Sequence, residues 1–143
     1  MEPRVSLITL GVSDLERARR FYEALGWVRS KASVAGEVAF YQAGGSALAL
    51  WWRERLAEDA MVQAAGHGFR GVALAQNVRR KEEVDQLLAD AAAAGGVITK
   101  PAQDSPHFEG RSGYFADPDG HLWEVAWNPS FPLGEDGSLR LPD

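Results

Sequence analysis

The sequence predicts an α+β fold built from two tandem β-α-β-β-β modules, and three observations predict it. The order of strand, helix and three strands starts at Arg4 and starts again at Gly71. Each helical stretch runs into glycine, Gly26 in the first module and Gly95-Gly96 in the second. Near the end, the run from Gly113 to Trp127, GYFADPDGHLWEVAW, spells out a hairpin.

Arg4 to Val12 alternates weakly and is rich in β-formers, so it reads as a strand. Ser13-Asp14-Leu15-Glu16 then gives a capping-box signal, and Leu15, Ala18, Phe21, Tyr22 and Leu25 recur at helical spacing. Strands are expected next at Trp27 to Ala32, Glu37 to Ala43 and Ala47 to Trp52, with Gly44-Gly45 as the turn between the last two. A linker over 54–70, with a short helix around Glu54 to Ala64, separates the modules. In the second module Gly71 to Gln76 reads as a strand, and Val84, Leu87, Leu88 and Ala91 mark the helix. That helix starts less cleanly, because Arg80 and Lys81 stand where a capping oxygen and acidic residues are favoured. The remaining strands are Val97 to Lys100, Arg111 to Ala116 and His121 to Trp127. The whole chain, 1–143, is expected to form a single domain with modules at about 4–53 and 71–128, and a Pro- and Gly-containing tail, 129–143, running over the surface.

Composition narrows the function. The 143 residues are 45% hydrophobic and 24% charged, an ordinary globular balance that supports a substantial core. A formal charge of -5 and the lack of any basic stripe argue against nucleic acid as a partner. With no cysteine there is no disulfide, thiolate metal site or cysteine nucleophile. No apolar run approaches a membrane span, and Met1-Glu2-Pro3-Arg4 does not open a secretion signal, so a soluble cytoplasmic protein is expected, with no membrane partner.

The hairpin carries the most chemistry. Pro118 presets the turn, Asp119 continues it, and Gly120 supplies the left-handed conformation that closes it. Beyond the turn, alternation sends Leu122, Glu124 and Ala126 to one face and Trp123, Val125 and Trp127 to the other. A glutamate among apolar neighbours needs water, a cavity or a partner. No Ser-His-Asp pattern, phosphate loop or paired-carboxylate spacing points to another catalytic class.

The paired modules, a first helix reading DLERARRFYEALGW and the DPDGHLWEV hairpin together resemble the vicinal oxygen chelate superfamily, which includes glyoxalase I, extradiol dioxygenases, fosfomycin-resistance proteins and bleomycin-resistance proteins. The resemblance runs from Arg4 to about Asn128. It implies an open, cup-shaped mixed sheet with the helices on its convex side. In metal-dependent members it implies a divalent ion at four positions that fall here on Leu7, Ala49, Gly71 and Glu124. Only Glu124 offers a donor, and zinc, nickel, manganese or iron sites need at least three. The expectation is therefore no metal, no cofactor and no catalytic residue. His67 comes near the cup only if the register slips, His107 is a rim contact or a solvated loop residue, and His121 points away from Glu124.

On this reading the concave face receives Leu7 and Thr9 from the first strand, Ala47, Ala49 and Trp51 from the fourth, and Gly71 and Ala73 from the fifth. Phe115, Leu122, Glu124 and Ala126 follow from the hairpin, with His107 and Phe108 at the rim. Trp51 and Trp52 are adjacent on a strand and must point to opposite faces, so one of the pair lines the cup, makes a dimer contact or packs in the core. Trp27, Trp123 and Trp127 are assigned to the helix side. Two readings of Glu124 stay open: a structural acid tied to a nearby Tyr, Ser or backbone donor, or an anchor for a cationic or hydroxyl-bearing ligand. Small residues with aromatics among them suit a bulky flat ligand, aromatic or partly cationic. The resemblance then implies a metal-independent protein that sequesters a natural product, as in antibiotic resistance of the bleomycin-resistance type. The alternatives are a glyoxalase- or dioxygenase-like enzyme with a divergent metal site, and a metal-free natural-product tailoring enzyme. A homodimer is expected, because pairing would cover sheet edges.

Overall fold

The computed structural model describes residues 1–141. Pro142 and Asp143, the end of the expected tail, lie outside the described residues. The chain divides into two compact units, Met1–Arg70 and Gly71–Asp143. Each carries an open mixed sheet, so the α+β reading and the repeat are borne out.

The first unit holds β1 (Leu7–Val12), α1 (Leu15–Ala24), β2 (Val38–Ala43), β3 (Ser46–Trp52) and α2 (Arg53–Asp59). Its sheet runs β1-β3-β2, with β1 parallel to β3 and β2 antiparallel to it. The Asp14 carboxylate caps α1 by accepting the Arg17 N–H at 2.9 Å. That places the cap one residue beyond Ser13, and Glu16 pairs instead with Arg19 at 2.7 Å. After α1, Gly26 takes φ +90°, which a residue bearing Cβ resists. The apolar stripe Leu15, Ala18, Phe21 and Tyr22 is buried with Leu10, Val12, Leu48, Leu50, Ala39 and Tyr41 of the sheet. Trp27 joins this side, its ring 6.0 Å from Tyr22 and 6.2 Å from Tyr41.

The strand expected at Trp27 to Ala32 does not form. Only an isolated bridge, Arg29 to Tyr41, remains. The Ser30 hydroxyl accepts the Ala32 N–H at 3.1 Å and the Ser33 hydroxyl accepts the Phe40 N–H at 2.9 Å, so serine side chains take bonds that a ladder would have used. The expected linker helix is also shorter and earlier. It follows β3 directly at Arg53, whose guanidinium donates to the Ala64 and Gly66 carbonyls at 2.7 Å each and holds the chain beyond α2.

The second unit holds β4 (Ala73–Asn77), α3 (Glu82–Ala93), β5 (Val97–Asp104), β6 (Arg111–Ala116) and β7 (Leu122–Trp127), the full five-element module. Its sheet runs β4-β7-β6-β5, with β4 parallel to β7 and the other pairs antiparallel. No side chain caps α3 at Lys81, but the Glu83 carboxylate reaches back to the N–H groups of Arg79 and Arg80 at 3.0 and 2.9 Å. Val84, Leu88 and Ala91 of α3 are buried, as are Phe115, Trp123 and Val125 of the sheet. Arg111 fixes the helix from outside, bonding Asp85 of α3 at 2.8 Å and Asp104 of β5 at 3.4 Å. The tail folds back through a Leu133–Leu139 bridge, and Arg79 donates to the Gly134 carbonyl at 2.6 Å. No helix among the described residues is long and apolar enough to cross a membrane.

Candidate functional site

The turn before β7 is held by Asp117, which is 2% exposed. One oxygen of its carboxylate accepts the N–H groups of Asp119 and His121, each at 2.9 Å, while Gly120, at φ +85°, donates its N–H to the Asp117 carbonyl. Pro118 and Gly120 act as the sequence predicts. The buried acid beneath them is the stronger determinant, because it satisfies two backbone donors at once. The turn fixes the register of β6 on β7, and that register decides which residues accompany Glu124.

Across the sheet, Ala75, Glu124 and Tyr114 stand side by side on β4, β7 and β6. They share the face away from α3 with Ala73, Leu122 and Ala126, as expected for those residues. Phe115 does not share it. It pairs with Trp123, and the two rings stack 6.2 Å apart on the α3 side, with Phe115 3% exposed. The expected placement beside Leu122 is one residue out of register, and a one-residue slip in a strand exchanges its faces. Tyr114, which sequence reasoning did not single out, takes the place instead. Burial first, and next the facing Glu124 carboxylate, hold the Tyr114 hydroxyl above the usual phenol range. That hydroxyl is the donor within reach of the acid.

Gly71 also falls outside its expected strand. It lies two residues before β4 in a bend, at φ +76°, a conformation incompatible with the extended strand assigned to it. His107 is exposed in the β5–β6 loop, its N–H bonded to the Ser105 hydroxyl at 3.1 Å. Phe108 in the same loop packs its ring over Gly110, where a Cβ would approach it to 2.5 Å.

In the first unit, Leu7, Thr9, Ala47, Ala49 and Trp51 fall together on the face away from α1. Phe40 belongs with them, because it pairs directly with Ala49. Its place follows from the pairing of β2 with β3, which the sequence pattern does not specify. The tryptophan pair divides as alternation requires. Trp52 aligns with buried Val12, and its indole N–H donates to the Gly36 carbonyl at 2.9 Å, while Trp51 takes the other face beside Val38.

A match to the glyoxalase/bleomycin resistance protein/dioxygenase superfamily spans residues 4–125. The chain belongs to that superfamily. Among solved structures it is 43% identical to a glyoxalase-related enzyme from Fulvimarina pelagi, with a TM-score of 0.88 and coverage of 99% of both chains. It is 28% identical to a glyoxalase/bleomycin resistance protein/dioxygenase from Nocardioides, with a TM-score of 0.72 over 94% of this chain and 90% of that one. Among curated proteins it is 26% identical, over 85% of this chain and 77% of the relative, to metallothiol transferase FosB of Shouchella clausii strain KSM-K16.

The four positions that the resemblance aligns with a metal site carry little ligating chemistry. Leu7 and Ala49 end in hydrocarbon, Gly71 has no side chain, and Glu124 is flanked across the strands by Ala75 and Tyr114. Among the described residues, no group of three or more His, Cys, Asp or Glu is placed to hold a metal ion. A divalent ion of the usual three-ligand kind does not fit this donor set.

Proposed function

We propose that this chain binds a bulky, flat organic molecule, of the natural-product antibiotic type, and sequesters it without a metal ion and without chemical change. The donor set carries the reading: of the four superfamily metal positions, Glu124 alone retains a ligating atom. On the face away from α1 the first unit carries Ala49 with Phe40 and Trp51, and on the face away from α3 the second unit carries Ala73, Ala75 and Ala126 with Tyr114. Small side chains leave room, and aromatic ones give a planar ligand surfaces to stack on.

Titrating the intrinsic tryptophan fluorescence with bleomycin, glycopeptide and polyketide antibiotics tests this. Saturable quenching by at least one of them, weakened several-fold by Trp51→Ala, is the expected result; a panel with no saturable response overturns the proposal. The similarity to a metallothiol transferase favours one competing reading, metal-dependent thiol transfer. Turnover of a thiol and an electrophilic antibiotic that depends on added manganese, nickel or zinc would establish it in place of sequestration.

A further inference from the structure

The Ala75–Glu124–Tyr114 row continues one strand further than the site needs. Tyr114 pairs with Lys100 on β5, so a cation, a phenol and a carboxylate lie in register across three neighbouring strands. The Lys100 ammonium sits 5.7 Å from the centre of the Tyr114 ring.

Simple alternation would not put Lys100 there. Ile98 pairs with Phe115, so an unbroken ladder would set Thr99 opposite Tyr114 and turn Lys100 towards α3. The register shifts between Ile98 and Lys100 and again between Lys100 and Gln103, and these two irregularities bring Lys100 to the Glu124 face. Pro101 sits between them without cost to the ladder, because β5 is an edge strand. Gly113 makes the arrangement possible. A Cβ at that position would lie 2.5 Å from a Leu88 methyl, 2.9 Å from the Lys100 carbonyl oxygen and 3.1 Å from the Ala102 nitrogen.

Three other cations of this unit are held in ion pairs: Lys81 with Asp104, Arg111 with Asp85, and Arg80 with Glu83. Among the described residues, neither Lys100 nor Glu124 has an ion-pair partner. Two opposite charges are thus held in one row, separated by a tyrosine and uncompensated by each other. Adjacent strands lie about 4.8 Å apart, so the charged ends are separated by roughly 5–10 Å, according to how far the lysine leans over the ring.

We propose that Lys100, Tyr114 and Glu124 form one recognition row for a zwitterionic ligand, its protonated amine on Glu124 and its anionic group on Lys100, the two a dipeptide's length apart. The proposal rests on the ligand-binding reading above and names the chemistry that the ligand must carry.

Four probes built on one phenyl ring test it by amide chemical-shift titration of the ¹⁵N-labelled full chain: phenylalanylglycine, phenethylamine, 3-phenylpropionate and 3-phenylpropionamide. The dipeptide is expected to bind at least five-fold more tightly than the neutral amide, with shifts on β5, β6 and β7. Lys100→Gln is expected to remove the dipeptide's advantage over phenethylamine, Glu124→Gln its advantage over phenylpropionate, and Lys100→Glu to make phenethylamine the tightest probe. Equal affinity for dipeptide and amide, or affinities unmoved by Lys100→Gln and Lys100→Glu in folded protein, overturns the row while leaving the binding function standing. If none of the four binds, the row fails, and the antibiotic titration decides the binding function separately.

Discussion

The two modules share a plan and differ in what they display. In each, the first strand pairs in parallel with the last, and a helix covers one face. The face away from α1 presents Leu7, Thr9, Ala47, Ala49, Phe40 and Trp51, with no charge among them. The face away from α3 presents Lys100, Tyr114 and Glu124 amid alanines. One module offers surface for stacking and the other offers charge. Two tyrosines show the same division. Tyr41 and Tyr114 are both raised by burial first and by a neighbouring glutamate second, Glu23 for Tyr41 and Glu124 for Tyr114. Tyr41 lies on the helix side at 1% exposure, while Tyr114 lies half-buried on the opposite side of its own sheet. The repeat keeps the backbone geometry, and the side each aromatic takes decides whether it enters the helix-side core or stays on the opposite face.

The largest expected effect sharpens that contrast through glycine. Gly113→Ala pushes a methyl to 2.5 Å from Leu88 and 2.9 Å from the Lys100 carbonyl. It should cost about 3 kcal/mol and displace the bulged segment that carries Lys100. Gly11→Ala in the first module meets Arg53 Cα at 3.2 Å, a milder contact, and should cost under about 1 kcal/mol. Urea denaturation of the two variants compares them directly, and equal losses would break the contrast. Next in size is Asp117→Ala, which leaves the Asp119 and His121 N–H groups without their acceptor and should cost about 2 kcal/mol, read from the same curves. Smaller still, Asp14→Ala removes the α1 cap and should cost about 1 kcal/mol, whereas Lys81→Ala removes no helix cap, since α3 has none there.

The two tyrosines give the subtlest test. Burial and Glu23 push Tyr41 up to about 12, above its unfolded value. The neutral form is therefore favoured by folding, and its contribution is fully present below about pH 10 and fades as pH rises through about 12. Melting temperature should fall across that window, and Tyr41→Phe should flatten the fall without lowering stability near neutrality, since among the described residues the buried hydroxyl has no hydrogen-bond partner. Tyr114→Phe should leave melting near neutrality little changed and act on ligand affinity instead.

Local chemistry made much of the fold legible. Gly26, Gly44, Gly95 and Gly120 all adopt the positive φ that their turns and helix ends demand, and the helical spacing of Leu15, Ala18, Phe21 and Tyr22 gives the buried stripe. What stayed hidden depended on pairing. The sequence pattern puts Phe115 on the wrong face because hairpin register is set by the buried Asp117 turn, which shows no periodic signal. The place of Lys100 opposite Tyr114 is not legible in the sequence because irregularities in β5 override alternation. Trp27 to Ala32 carries strand-forming residues, yet Ser30 and Ser33 use their hydroxyls on the backbone. Glu124 is legible in the sequence alone, whereas its neighbour Tyr114 follows only from the pairing of β6 with β7.

Metal content separates an organic-ligand face from a metal centre most directly. Protein purified without chelator and analysed for manganese, iron, nickel and zinc should retain under about 0.1 equivalent in total, because one carboxylate alone does not hold a divalent ion through purification, and Glu124→Gln should leave that value unchanged. Close to one equivalent of a single metal, lost in Glu124→Gln, would contradict it.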